Sequence, residues 1–157
     1  MKYPLANTLV IRRVFNTLRQ SCFQVLKWAT ERLGVAHLWK FTLSPLEAEY
    51  LPSGNKILFR GLDNSMSITS IAVDKGYLCW CWFEEFFQVE KEEDFNRVDF
   101  SIRGELPEGY YKQIICTFNP WAENWIKARF FDVEDDNVLA LTTTYRCNEW
   151  LGEDDIA

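Results

Sequence analysis

The chain has 157 residues, 48% of them hydrophobic and 25% charged, which is enough for one domain with a sizeable core. A formal charge of −6 excludes bulk attraction to phosphate backbones or anionic membranes, so any nucleic-acid contact must be local or come from elsewhere in an assembly. No run approaches the roughly 20 apolar residues needed to cross a bilayer, and the start MKYPLANTLVIRR lacks the order of a signal peptide, so a soluble, intracellular protein is expected.

Twelve Phe, seven Trp and six Tyr promise much buried area, and also surfaces that need a partner such as another domain to cover them. The five cysteines, Cys22, Cys79, Cys81, Cys116 and Cys147, lie mostly in apolar runs without paired CxxC spacing and read as buried free thiols of a reducing compartment. The single histidine, His37, has no second histidine or nucleophile pattern near it and reads as structural.

In chain order, Thr8 to Ile11 is a short β-rich run followed at once by Arg12 and Arg13. From Val14 to Leu33, apolar positions at Val14, Leu18, Cys22, Val25, Leu26, Ala29 and Leu33 predict one long amphipathic helix stopped by Gly34. Leu38 to Leu43 and Glu47 to Leu51 predict short strands, and a turn over Pro52 to Asn55 feeds a strand over Lys56 to Phe59, a small antiparallel excursion near 38–60. Asn64 to Ser70 reads as a loop or short helix. Tyr77 to Phe83 is continuously apolar, as in a central strand covered on both faces, and Glu90 to Asp99 is an acidic helix. Gln113 to Cys116, a helix over Ala122 to Phe131 and a last strand over Val138 to Thr144 complete the pattern. Strands alternating with helices imply a mostly parallel α/β sheet in a single domain, 1–157.

In an open parallel sheet, ligands bind beyond the carboxyl ends of the strands. Three strand ends carry useful groups: Arg12 and Arg13, then Glu84 and Glu85, then Thr117 and Asn119. Two acids after an apolar strand form a Walker B arrangement, in which the first holds Mg²⁺ and the second orients or deprotonates the attacking water. A strand that simply emerges into solvent gives the same string. Thr117 and Asn119 suit contact with a γ-phosphate or its water, and TFNP is equally an ordinary turn. Arg12 and Arg13 suit a phosphate, and equally an ion pair with the abundant acids.

LVIRRVFNTLRQSCFQVLKW, KILFRGLDN, WFEE, the block SIRGELPEGYYKQIICTFNPWAENWIKARFF and finally LTTTYRCNEWL, in this order, closely resemble the ATPase part of the phage terminase large subunit, in its PBSX-like branch. The resemblance runs over nearly the whole chain and implies a P-loop NTPase fold of the ASCE, RecA-like kind that hydrolyses ATP to drive double-stranded DNA into a procapsid in the cytoplasm of a bacterial host. On that mapping Glu84 is the acid at Mg²⁺, Glu85 the catalytic carboxylate, Thr117 and Asn119 with Phe118 the coupling motif at the nucleotide, and Arg60 a candidate charge-stabilising arginine, with a structural ion pair as its alternative. Implied cofactors are Mg²⁺ and ATP, and implied partners are double-stranded DNA, the portal protein, the terminase small subunit and sister large subunits.

The sequence departs from the family in two places. It holds no GxxxxGK[ST] string, the Walker A loop that the family carries one helix before TLVIRR, and it holds no nuclease domain, for whose carboxylates Asp154 and Asp155 are no substitute. The expectation is therefore a partial ATPase domain, incomplete at its N-terminus, with an exposed sheet edge, weak or absent ATP binding and self-association. The rival reading, from a different class, is a non-catalytic remnant or assembly module that keeps the fold without ATPase activity.

Overall fold

The structure is a computed structural model that describes residues 2–63, 71, 73–149, 151 and 152. Its six strands are β1 (Ala6–Arg12), β2 (Trp39–Leu43), β3 (Leu46–Tyr50), β4 (Asn55–Gly61), β5 (Tyr77–Glu84) and β6 (Gln113–Thr117). They form one sheet in the order β2-β3-β4-β1-β5-β6. β1 pairs in parallel with both β4 and β5, and β5 in parallel with β6, while the β2–β3 and β3–β4 pairings are antiparallel. The sheet is thus mostly parallel, and the antiparallel excursion lies where the Pro52 to Asn55 turn suggests. Among the described residues, no helix is long and apolar enough to cross a membrane.

Among the described residues, the helices that flank the sheet are α1 (Phe15–Leu18), α2 (Cys22–Arg32) and α3 (Glu92–Ser101). One sheet face carries Val10 and Phe59, which pack with Leu46 and with Leu18, Cys22 and Phe23 of α1 and α2. The opposite face carries Cys81 and Phe83, and the ring of Phe83 meets Phe95 of α3 at 5.5 Å between centroids. The alternation along β5 follows from the two-residue period of a strand: Cys79, Cys81 and Phe83 are fully buried on the α3 face, and Leu78, Trp80 and Trp82 are half-buried on the other.

The long helix expected over Val14 to Leu33 is two helices. The chain turns over 19–21, where the Ser21 backbone leaves the helical region at φ −103° and ψ −102° and its hydroxyl donates back to the Thr17 carbonyl. Gly34 ends α2 as expected: at φ +70° it lets its own N–H reach the Glu31 carbonyl and that of Val35 reach the Thr30 carbonyl. The helix expected over Ala122 to Phe131 forms only over 125–131, where the Asn124 side chain caps the Ile126 N–H at 3.0 Å, and its last five residues, Lys127–Phe131, are π-helical.

Val138 to Thr144 is not a strand. It is extended, with Leu139 81% exposed, because no described strand offers it a ladder to join. Asn64 to Ser70 lies outside the described residues. The chain forms two compact units, Met1–Trp121 and Ala122–Ala157, and the whole sheet belongs to the first.

Candidate functional site

The four parallel strands end on one rim of the sheet, and the register decides which side chains meet there. Ile11 of β1 stands opposite Phe83 of β5, which brings Arg12 beside Glu84, and Glu84 is paired with Thr117 of β6. Glu84, Glu85, Thr117, Phe118 and Asn119 line one open pocket of about 250 Å³ at this rim. Four of the five site residues singled out from the sequence therefore converge.

Glu84 is still within the strand, and its side chain lies on the face of α2. Arg12 Nε stands 3.0 Å from Glu84 Oε2, both side chains being about four-fifths buried. The approach is an ion pair but not an aligned hydrogen bond, so Arg12 Nε and Glu84 Oε2 are both left without a hydrogen-bond partner. Burial pushes the Glu84 carboxyl above its ordinary value, Arg12 pulls it back, and the neighbouring Glu85 pushes it up again. Burial likewise holds the adjacent Cys22 thiol up, in its neutral form.

Glu85 breaks the strand. Its backbone is left-handed, at φ 54° and ψ 44°, a conformation disfavoured for a residue with a Cβ. Aromatic packing on both sides of it fixes that turn. Phe83 and Phe86 are fully buried with ring centroids 5.1 Å apart, and Phe87 packs on Trp121 at 4.3 Å and stacks on Phe118. The turn separates the two carboxylates: Glu84 stays on the sheet face and Glu85 points from the rim.

Thr117 is held by a contact that the sequence alone does not reveal. The Trp82 indole N–H donates to Thr117 Oγ1 at 2.8 Å, and the hydroxyl faces the Phe83 carbonyl at 3.4 Å. Spacing signals it after the fact, since Trp82, two residues before Glu84, shares its face.

Arg60 does not line the pocket. It lies on β4, the second strand from β5, and its guanidinium donates to the Phe59 carbonyl at 2.8 Å. The rest of FRGLDN has an architectural task. The Leu62 and Asp63 N–H groups donate to the Arg12 and Arg13 carbonyls, and both Asp63 carboxylate oxygens accept the Phe15 N–H, clasping the turn from β1 into α1. A Cβ on Gly61 would lie 2.5 Å from the Phe15 nitrogen, so only glycine fits the clasp. Arg13 pairs with Glu90 instead of turning to the pocket.

The donors at the rim, two carboxylates, a hydroxyl and a side-chain amide, are all hard oxygens. Among the described residues no cluster of three or more ligating side chains exists that would hold a metal by itself. This set suits an ion that keeps most of its waters and takes one or two carboxylates plus oxygens of a bound phosphate, as Mg²⁺ does, and Glu84 Oε2, ion-paired with Arg12, has no hydrogen-bond partner.

The family model for the phage terminase large subunit matches residues 1–157. The chain is 41% identical over 152 residues to the terminase large subunit of Bacillus phage SPP1, covering 92% of this chain and 35% of that protein. It is 34% identical over 124 residues to the PBSX phage terminase large subunit of Bacillus subtilis, covering 78% of this chain and 27% of that one. The chain thus spans about a third or less of the length of these relatives. Its fold is that of the large terminase of a thermophilic bacteriophage, with a TM-score of 0.76 at 18% identity over 98% of this chain and 36% of that one. A mostly parallel sheet flanked by helices, with its polar residues gathered at the carboxyl rim, is the P-loop NTPase-like arrangement, and the chain belongs to the phage terminase large subunit family.

Proposed function

We propose that this chain is the Walker B and coupling part of an ATP-hydrolysing motor that packages double-stranded viral DNA into procapsids in the cytoplasm of a bacterial host. The observation that carries the reading is the convergence of Glu84, Glu85, Thr117 and Asn119 on one pocket at the carboxyl rim of a parallel sheet. Glu84 holds Mg²⁺, and the ion supplies charge neutralisation at the phosphates. Glu85, turned out of the strand, orients and deprotonates the attacking water. Thr117 and Asn119 hydrogen-bond to the γ-phosphate or that water and so register whether phosphate is present. Arg60, two strands away, would act on charge only from outside this group.

The chain has no GxxxxGK[ST] string, so the rim carries the metal-and-water half of a nucleotide site. In this reading residues 1–157 work as one domain, which needs a Walker A segment for tight nucleotide binding and whose partners are double-stranded DNA, the portal protein, the small subunit and sister large subunits. The isolated chain binds ATP weakly or not at all. It also self-associates through the outer edge of β6, which bears no strand among the described residues. Sedimentation at rising concentration reads this directly, and a species that stays monomeric removes the self-association.

The deciding experiment places this segment in a terminase large subunit with a Walker A loop. Glu85→Gln should lower ATP turnover by at least about 10³-fold while ATP binding persists. Unchanged turnover removes Glu85 from its role and favours the non-catalytic module.

A further inference from the structure

We propose that Arg12 is a tethered counter-ion to Glu84, which occupies the metal-binding carboxylate until a divalent cation displaces it. The inference rests on the reading of Glu84 as the metal-binding acid and adds a second residue to that site.

The geometry argues for a placeholder. Arg12 Nε reaches Glu84 Oε2 at 3.0 Å without hydrogen-bond alignment, so two buried charged atoms face each other and neither is satisfied. A pair selected for stability alone would be expected to adopt the aligned, two-pronged geometry that guanidinium and carboxylate favour. The arginine is held in place from its backbone. Its carbonyl accepts the Leu62 N–H at 3.0 Å, and Arg12 sits in register with Gly61, the one residue that fits the clasp around the start of α1. The main chain is therefore fixed while the charged end makes an imperfect contact.

The electrostatics give the contact a purpose. Glu84 is about four-fifths buried with Glu85 next to it at the rim, and Arg12 is the cation in contact with it. A divalent ion at Glu84 would bring twice the positive charge of Arg12 to the same carboxylate. Arginine and metal thus compete for one carboxylate.

The test uses the 157-residue chain and Mn²⁺, read by paramagnetic broadening of amide signals at Glu84 to Phe86 and Thr117 to Asn119. Arg12→Met should tighten Mn²⁺ binding at these amides on the order of tenfold, by removing a neighbouring positive charge and its contact. Arg12→Lys, which keeps the charge, should stay within about threefold of the unmodified chain. Glu84→Gln should abolish the broadening. If Arg12→Met leaves the broadening unchanged while Glu84→Gln removes it, Arg12 is purely structural and the proposal fails with the role of Glu84 intact. If Glu84→Gln leaves the broadening intact, the reading of Glu84 fails first. Should Arg12→Met not fold, the unmodified chain still decides: Mg²⁺ titration should move the Arg12 Nε–H resonance toward those of solvent-exposed arginines, and a resonance that does not move overturns the proposal.

Discussion

The two faces of this sheet are finished to different degrees. On the α3 face, Phe83 and Cys81 of β5 are fully buried, and even on the edge strand burial pushes the Cys116 thiol up to about 12. On the face of α1 and α2, cover is complete over Val10 and Phe59 but thins toward the same edge, where Trp82 is half-buried and Ile115 is 46% exposed. The candidate site divides along this line. Glu84 and Thr117 lie on the thinner face, and Glu85 leaves the sheet at the rim. Both faces carry buried core, but only the open face sets polar groups and half-covered aromatics beside a pocket.

The largest expected effect breaks the closed face. Phe83→Ala removes a fully buried ring that touches Phe86 and Phe95, and should destabilise the chain by about 3–5 kcal/mol in denaturant unfolding. Ile115→Ala, on the neighbouring strand but the other face, should cost about 1 kcal/mol or less. Equal losses would mean that the open face is as tightly packed as the closed one.

A smaller effect tests what the open face does to a charge. The Glu84 carboxyl is raised above its ordinary value of 4.5, chiefly by burial, so the folded chain holds that proton to higher pH than the unfolded chain does. Where the folded state binds more protons, stability falls as pH rises. Glu84 therefore subtracts stability above the ordinary carboxylate range and nothing below it. Glu84→Gln, which mimics the neutral acid, should match the unmodified chain below about pH 4 and gain on it as pH rises through and above the ordinary glutamate range. A difference that shrinks toward neutral pH would contradict the burial of this carboxylate.

Much of the closed face was legible in the sequence. The apolar run from Tyr77 to Phe83, the turn over Pro52 to Asn55 and the stop at Gly34 are local signals, and strands and turns form where those signals lie. The strand-end logic singles out Arg12 and Arg13, Glu84 and Glu85, and Thr117 and Asn119, because parallel strands end on one side; the last four line one pocket, while Arg13 pairs with Glu90. What escaped depends on pairing across the chain. Nothing local says that Arg12 selects Glu84 and Arg13 selects Glu90, since both acids lie more than 70 residues away and only register decides between them. A non-helical backbone at Ser21 divides a helix whose apolar spacing runs on unbroken. VLALTTT has the composition of a strand, but a strand exists only with a partner, and none of the described strands pairs with it.

The smallest expected effect concerns the residue that turns between the two regions. Glu85 holds a left-handed backbone at φ 54°, and the buried Phe86 with the Phe87–Trp121 contact keeps it there. A residue with a Cβ bears roughly 1–2 kcal/mol of strain in that conformation, and glycine bears almost none but gives up roughly 0.5–1 kcal/mol to its freer unfolded chain. Glu85→Gly should therefore be more stable than Glu85→Ala by about 1 kcal/mol or less, measured as a shift in denaturation midpoint at constant slope. Glu85→Ala should differ from the unmodified chain by no more than a few tenths of a kcal/mol, because the carboxylate itself is not what fixes the turn. If glycine proves the less stable of the two, the left-handed turn is not strained and position 85 offers no stability reason to exclude a carboxylate. If glycine is the more stable, this chain carries an acid where a neutral residue would fold better, and chemistry at the rim becomes the reason the carboxylate is kept.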